Sequence, residues 1–375
     1  MAEGAPEAVA AWLRGGELDA LDGSGAVQRF EQAMAERVGV GWALATASGT
    51  AALEAALAAL ELVPGETLLV APFAPSYVYM AARRAGARLA WVDVEAGGLG
   101  LDPGEALRRL EAEERRGARV RALLAVHTAG YPARLGPLLE PLAERGVALI
   151  EDAAQALGAQ LPEGPAGSVG TVGLFSFQGG KMLPLGEGGL LVTRMGDLYR
   201  RAVRAGQHPA RIEREWGEAG AVPSFQHRIN PLAAALGLAQ LGALDEWLRR
   251  RRRRAEEAAG FLARRGGGLE AVSGAPGSRP AWLRLALRLP EPLPPQALEA
   301  FCEEAVERGA DLDPLPEPLP ARLGGPAAGE LPRAETVRRR TLLLGGAGSL
   351  MADEAGFRRV LEAVVEAWRR WRRSG

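Results

Sequence analysis

The chain has 375 residues, 47% hydrophobic and 24% charged, which is long enough for two lobes with separate cores. A formal net charge of −1 leaves no electrostatic footprint for nucleic acid, and a single cysteine, Cys302, excludes an intrachain disulfide and a cysteine-built metal site. Residues 1–13 are acidic and alanine-rich without a signal-peptide pattern, and no uncharged apolar run approaches the ~20 residues of a membrane span, so a soluble, cytoplasmic protein is expected.

In chain order, Val27, Phe30, Met34 and Val38 fall at helical spacing over residues 26–38. Short apolar runs then alternate with helical patterns. The runs are 42–46, 67–71, 88–94, 120–127, 147–151, 171–177 and 189–193. Helices are read at 51–62, with Leu53, Leu57 and Leu60 turned inward, at 104–116 and at 135–145. This alternation predicts an α/β fold with a mainly parallel sheet, whose strands, buried on both faces, read as continuous apolar runs. Residues 206–224 are polar, contain Pro209, Trp216 and Pro223, and read as a long irregular segment of functional type. Asn230 followed by Pro231 marks a helix start, and the helix is read from 232 towards 259.

The lobe boundary is placed within that helix. This gives a large domain, 1–245, with an N-terminal helical segment, and a small domain, 246–375. The basic run 249–254, followed by Glu256 and Glu257, reads as a solvated helix face with charge pairs about one turn apart. A strand at 282–289, a helix at 295–308, a proline-rich loop at 312–333 and a last helix at 353–371 complete a smaller α/β lobe. His127, His208 and His227 share no ligand-like spacing, so no metal site is expected.

Lys181 is the only lysine among 45 Lys plus Arg. Arginine replaces lysine in salt bridges and on solvated faces, but it cannot lose its proton and attack a carbonyl. Asn230 is likewise the only asparagine, so rarity alone makes Lys181 a candidate and its surroundings must decide. Three segments place polar groups at strand ends, where ligands of open parallel sheets sit. After the first strand, Ser48-Gly49-Thr50 opens a helix, an arrangement suited to phosphate and equally to simple helix capping. The apolar strand at 147–151 delivers Asp152, with Gln155 three residues on. A carboxylate there would hold a proton on a cationic ring nitrogen, or merely cap a helix. The strand carrying Ser176 enters a glycine-rich bend that presents Lys181, and Gly186, Gly188 and Gly189 lead into the next strand. Together these supply a phosphate cradle, an acid and an amine, the set pyridoxal phosphate needs. No G-x-G-x-x-G follows a strand, which argues against a dinucleotide site.

The stretches S-G-T-A-A-L at 48–53, E-D-A-A-Q-A at 151–156 and F-S-F-x-x-x-K with G-E-G-G at 175–189 resemble the DegT/StrS family of pyridoxal-phosphate aminotransferases. R-I-x-x-x-x-A-A-x-G-L-x-Q-L at 228–241 matches as well, and the resemblance runs from about residue 20 to 245, continuing weakly to the C-terminus. It implies a type I aminotransferase fold, with a large lobe built on a seven-stranded sheet, a smaller C-terminal lobe and a homodimer with shared sites. It assigns Lys181 as the Schiff-base lysine, Asp152 as the partner of the pyridine nitrogen and Gln155 as the neighbour of the ring oxygen. Thr50 and Ser176 fall to the phosphate, with Gly49 beside them in the cradle and Ser48 a further cofactor-binding candidate. Where the family often has an asparagine reaching the partner subunit's phosphate, this chain has Gln226. Phe73 and Tyr77 both stand as candidates to stack on the cofactor. The implied activity moves an amino group from an amino acid, glutamate, to a nucleotide-linked keto-sugar. The alternatives are a keto-cyclitol acceptor and a non-catalytic regulatory protein. Dehydratases of the family carry histidine in place of the lysine.

Overall fold

The computed structural model describes residue 2 and residues 4–15, 21–218, 225–324, 331–346 and 349–374. In chain order the strands are β1 (Trp42–Thr46), β2 (Thr67–Val70), β3 (Arg88–Trp91), β4 (Val120–Val126), β5 (Ala148–Asp152), β6 (Gln160–Leu161), β7 (Gly164–Pro165), β8 (Val172–Ser176), β9 (Gly189–Thr193), β10 (Glu270–Ala271), β11 (Leu285–Arg288), β12 (Leu312–Pro314) and β13 (Thr341–Leu344).

All seven apolar runs of the N-terminal half enter one seven-stranded sheet, ordered β1-β9-β8-β5-β4-β2-β3. The β3-β2-β4-β5-β8 block is parallel, and β9 lies antiparallel to both β8 and β1. β1, β4, β5 and β8 therefore point the same way and end along one edge. The helix Gly49–Ala59 is buried on nearly every side, packing between the helix Gly196–Gly206 and strands β1, β8 and β9. Its alanines suit that position, because a helix that is apolar all round belongs in a core. Leu53 and Leu57 are buried there as the spacing predicts, whereas Leu60 is the half-buried C-cap.

The C-terminal half forms a four-stranded antiparallel sheet, β10-β11-β13-β12, with its own core of Phe301, Leu342, Phe357 and Trp368. The helix Leu244–Arg265 joins the two halves: Leu244 packs into the first core, Ala258 and Phe261 into the second. A third apolar cluster, including Phe73, Tyr131, Ala286 and Leu315, lies where the halves meet. Backbone hydrogen bonds fasten the same junction, from Leu319 N to the Pro72 carbonyl at 2.6 Å, while the Arg322 guanidinium donates to the Ala74 carbonyl at 3.1 Å. No helix among the described residues is long and apolar enough to cross a membrane.

Four local expectations change. Residues 206–224 are not wholly irregular, because Pro209–Trp216 is a helix, capped by the His208 side chain. It turns inward through Arg211, which pairs with buried Glu31 at 2.9 and 2.8 Å. Residues 219–224 of that segment lie outside the described residues. The helix read from 232 towards 259 is two helices, Pro231–Leu241 and Leu244–Arg265, divided at Gly242. The proline-rich stretch 312–333 contains β12 and a short helix, Leu319–Arg322, begun by Pro318 and Pro320. Within the basic run, Arg249, Arg252, Arg253 and Arg254 pair with glutamates on the helix surface, but Arg251 is buried. Its guanidinium donates to the carbonyls of Trp282 and Leu283 at 2.8 and 2.9 Å, and burial pushes its pKa down to about 10.

Candidate active site

Asp152 closes β5 and is almost wholly buried, 2% exposed. Its strand neighbour β4 ends at Val126, and the His127 amide continues the ladder by donating to the Asp152 carbonyl at 3.1 Å. Among the described residues the side chain has two donors. The Ala154 amide donates to Oδ1 at 3.1 Å, and the Tyr77 hydroxyl donates to Oδ2 at 2.6 Å. Burial raises the carboxyl above the ordinary aspartate range, while the Tyr77 and Ala154 hydrogen bonds and the Lys181 charge pull it back. A carboxylate has about four lone-pair positions, so two protein donors leave room for a third group.

Lys181 lies in the bend between β8 and β9. Phe177 N donates to the Gly188 carbonyl at 2.9 Å, Gly179 N to Gly186 at 3.0 Å, and Lys181 N to Gln178 at 2.8 Å. These bonds close the bend and hold the lysine backbone still. The Lys181 side chain is partly buried. That burial lowers its pKa from the ordinary lysine value, and the Asp152 charge opposes the shift. Lysine and aspartate, 29 positions apart in sequence, therefore act on one another in one electrostatic site.

The Ser48-Gly49-Thr50 turn lies beside the same strand ends. Ser48 is the N-cap, its Oγ accepting from Ala51 N at 3.1 Å. Capping by Ser48 and an open anion site can coexist here, because the Gly49 and Thr50 amides precede the first intrahelical donor, Ala52 N, which donates to the Ser48 carbonyl at 3.0 Å. The Thr50 and Ser176 hydroxyls are partly exposed and have no hydrogen-bond partner among the described residues. Gly49 sits where a β-carbon would come 3.1 Å from Ser176 Cβ, so the helix start presses closely on the end of β8.

Gln155 is anchored by its oxygen, which accepts from Ala129 N at 2.9 Å. Ala129 has φ 56°, a left-handed conformation that aims its amide at Gln155. The Gln155 NH2 end is thereby the one left to donate to a ligand oxygen. Gln226 is exposed, with φ 57°, and its Oε1 accepts from Arg228 at 3.3 Å. Of the two candidate aromatic rings, Phe73 is committed to the apolar cluster between the halves, and Tyr77 is tied to Asp152.

The spacing of residues gave no sign of the support beneath this site. Glu151, fully buried, accepts from Gly167 N at 2.9 Å, Val169 N at 2.7 Å and Gly170 N at 2.6 Å, and pairs with His127 Nε2 at 3.0 Å. His127 Nδ1 accepts from Ala133 N at 3.0 Å, so the Nε2 proton points at Glu151. This arrangement fixes the turn 128–130, and with it the Ala129 amide that orients Gln155. The Tyr77–Asp152 bond was equally hidden, although the segment 72–79 stood out for its aromatic residues.

The donor set fits pyridoxal phosphate. Unpartnered hydroxyls and helix-start amides suit a dianion, buried Asp152 suits a ring cation, and Lys181 is an amine with a depressed pKa. Among the described residues no group of three or more His, Cys, Asp or Glu could hold a metal ion.

Comparison with known proteins agrees. The model of the DegT/DnrJ/EryC1/StrS aminotransferase family matches residues 2–365. GDP-perosamine synthase of Caulobacter vibrioides is 34% identical over 272 residues, covering 71% of this chain and 70% of that protein. L-glutamine:2-deoxy-scyllo-inosose aminotransferase of Streptomyces paromomycinus is 30% identical over 367 residues, covering 90% of this chain and 84% of that protein. Among solved structures, 3-amino-5-hydroxybenzoic acid synthase superposes with a TM-score of 0.85 at 27% identity, covering 99% of this chain and 97% of that one.

Proposed function

Because this chain belongs to the DegT/DnrJ/EryC1/StrS aminotransferase family and is a pyridoxal-phosphate-dependent transaminase, we propose that it moves an amino group from glutamate to a nucleotide-linked keto-sugar. The observation that carries the catalytic assignment is the meeting of Lys181 and Asp152 in one partly dehydrated site beside an open helix start. The nucleotide-linked acceptor is supported by the likeness to GDP-perosamine synthase.

Bound pyridoxal phosphate supplies an electron sink and carries the amino group between the two substrates. The residues of this chain do the rest. Thr50 and Ser176 hydroxyls, with the Gly49 and Thr50 amides, hold the phosphate. Asp152 keeps the proton on the ring nitrogen, and the Gln155 NH2 donates to the ring oxygen. Lys181 holds the cofactor through its amine. Freed by the donor, that amine would be the group that moves a proton between the donor Cα and the cofactor. A depressed pKa suits this task, since a base must be unprotonated near the working pH. The reading includes a homodimer in which Gln226 of one copy reaches the phosphate held by the other. Its exposed, positive-φ position and the exposed Phe225 beside it support that placement.

A keto-cyclitol acceptor is the second reading, favoured by the likeness to the scyllo-inosose aminotransferase. The test has two parts. Glutamate or glutamine is added to the holoenzyme and conversion of the aldehyde to the amine form is followed by absorbance. The amine form is then offered nucleotide keto-sugars and keto-cyclitols, and turnover of a keto-cyclitol alone would overturn the sugar assignment. Lys181→Ala should bind cofactor yet lose transamination; a fully active variant would remove Lys181 from its role.

A further inference from the structure

The Tyr77–Asp152 contact joins the first turn of the helix Ser76–Arg84 to the end of β5 across 75 positions of sequence. At 2.6 Å it has the length of a hydrogen bond from a hydroxyl to an ionised carboxylate. We propose that Tyr77 is a positioning residue for the cofactor: its hydroxyl holds Asp152 ionised and turned so that the carboxylate can face the ring nitrogen. This rests on the reading of Asp152 as the partner of that nitrogen.

Three observations carry the proposal. First, Asp152 is 2% exposed, and a carboxyl deprived of water reverts to its neutral form unless donors hold the charge. Among the described residues its side-chain hydrogen-bond donors are the Ala154 amide on Oδ1 and the Tyr77 hydroxyl on Oδ2, one for each oxygen. Second, the other polar groups facing it act at longer range. Lys181 and His127 face Asp152 from the β8–β9 bend and the end of β4, and neither makes a hydrogen bond to it. Lys181 is also the amine that would bind the cofactor, whereas the Tyr77 hydroxyl is a neutral donor already within hydrogen-bond distance of the carboxylate. Third, burial and the Asp152 charge push the Tyr77 hydroxyl well above its ordinary pKa, so it keeps its proton throughout the working range. A tyrosine in this setting donates and does not compete as a base.

The arrangement makes a specific demand on the cofactor. If Tyr77 acts through Asp152 on the ring nitrogen, its effect must vanish when that nitrogen is absent. The probe is 1-deazapyridoxal 5′-phosphate, in which the ring nitrogen is replaced by C–H. Dissociation constants for pyridoxal phosphate and for this analogue are measured on apo-protein for wild type and for Tyr77→Phe, which keeps the ring and loses only the hydroxyl. Tyr77→Phe should bind pyridoxal phosphate about ten- to a hundredfold more weakly, the equivalent of one hydrogen bond to a charged group. Its affinity for the deaza analogue should stay within about twofold of wild type. In an Asp152→Asn background, Tyr77→Phe should leave both affinities in place, since the cycle isolates the pair.

An equal loss for both cofactors would make Tyr77 a structural residue and overturn the proposal. Tighter binding of pyridoxal phosphate by Tyr77→Phe would do the same, by showing the hydroxyl to be a competitor for Oδ2. Wild type that prefers pyridoxal phosphate, with Tyr77→Phe retaining the full preference, removes Tyr77 and leaves Asp152 in its role. Wild type indifferent to the ring nitrogen overturns both assignments. Because the readout is a ratio between two cofactors on the same variant, a general loss of stability cancels from it.

Discussion

Gly189 is packed so tightly on the turn that opens the helix Gly49–Ala59 that a β-carbon at 189 would lie 2.6 Å from the Gly49 amide nitrogen. The backbone that leaves the lysine bend and the backbone that opens the helix at Gly49, the candidate anion site, therefore support one another. Gly179, in the same bend, has nothing within 4 Å of its hypothetical β-carbon. Gly189→Ala should cost cofactor affinity and about 1–3 kcal/mol of stability, because the obstacle is backbone and cannot rotate away. Gly179→Ala should be close to neutral. Thermal melts and cofactor titration of the two variants check this, and equal behaviour would show that the close approach is not required.

The pH dependence of cofactor capture should report the Lys181 environment. Burial lowers its pKa below the ordinary value of 10.5. Protons therefore leave it at a lower pH in the folded apo-protein than in the unfolded chain. Two consequences have the same sign. The rate of pyridoxal phosphate capture should rise with pH and level off below pH 10.5, and apo-protein stability should rise with pH between the folded and unfolded lysine values. A capture profile still climbing through 10.5 would contradict the burial of the amine.

Asp152 works in the opposite sense. Its folded pKa is raised from 3.8, chiefly by burial, so the native state holds the proton more tightly than the unfolded chain. That contribution to stability is complete below pH 3.8 and is lost as pH rises through the folded value. Asp152→Asn has no such loss. The variant apo-protein should melt at a higher temperature than wild type at neutral pH, with the gap closing in acid, while binding pyridoxal phosphate more weakly. A variant less stable at neutral pH would show that the carboxylate contributes more through its two hydrogen bonds than it costs by burial.

Glu151 carries the opposite prediction for its neighbour in sequence. Its buried carboxylate satisfies three backbone amides and the His127 ring. Glu151→Ala leaves all four donors without a partner in the interior. The expected cost is about 3–5 kcal/mol, as for breaking a buried pair. Denaturant unfolding measures it, and a cost under ~1 kcal/mol would mean that water replaces the carboxylate.

Arg251 fastens the helix Leu244–Arg265 to the chain entering β11 by two bonds to carbonyls. Arg251→Met keeps much of the packing and removes both donors. It should lower stability by about 1–3 kcal/mol, whereas Arg252→Met, on the exposed face, should change it by less than ~0.5 kcal/mol. Equal effects in paired unfolding curves would place Arg251 with the surface arginines.

What could be read from the chain alone followed from local signals. Seven apolar runs predict seven strands because a strand buried on both faces needs apolar residues at every position. Asn230 caps a helix ahead of Pro231 because both residue types suit a helix start, and its Oδ1 accepts from Leu232 N at 2.9 Å. Lys181, Asp152 and the 48–50 turn were legible as chemistry, since amine, acid and open amides have few substitutes. The helix Pro209–Trp216 was obscured by polar residues and by Pro209, which reads as a breaker although it sits in the first turn.

Tertiary structure alone decided which of these signals meet. The strand order β1-β9-β8-β5-β4-β2-β3 brings Gly189 beside Gly49, Tyr77 to Asp152 and His127 to Glu151. Each pair joins segments whose local patterns say nothing of the other. A hydroxyl, a carboxylate or a glycine reads the same in any turn, and its partner is set by packing across the sheet. Residue types therefore named the chemistry in advance, while the dehydration that raises Asp152, the hydrogen bond that restrains it and the depression of the Lys181 pKa arose only when the chain folded around them.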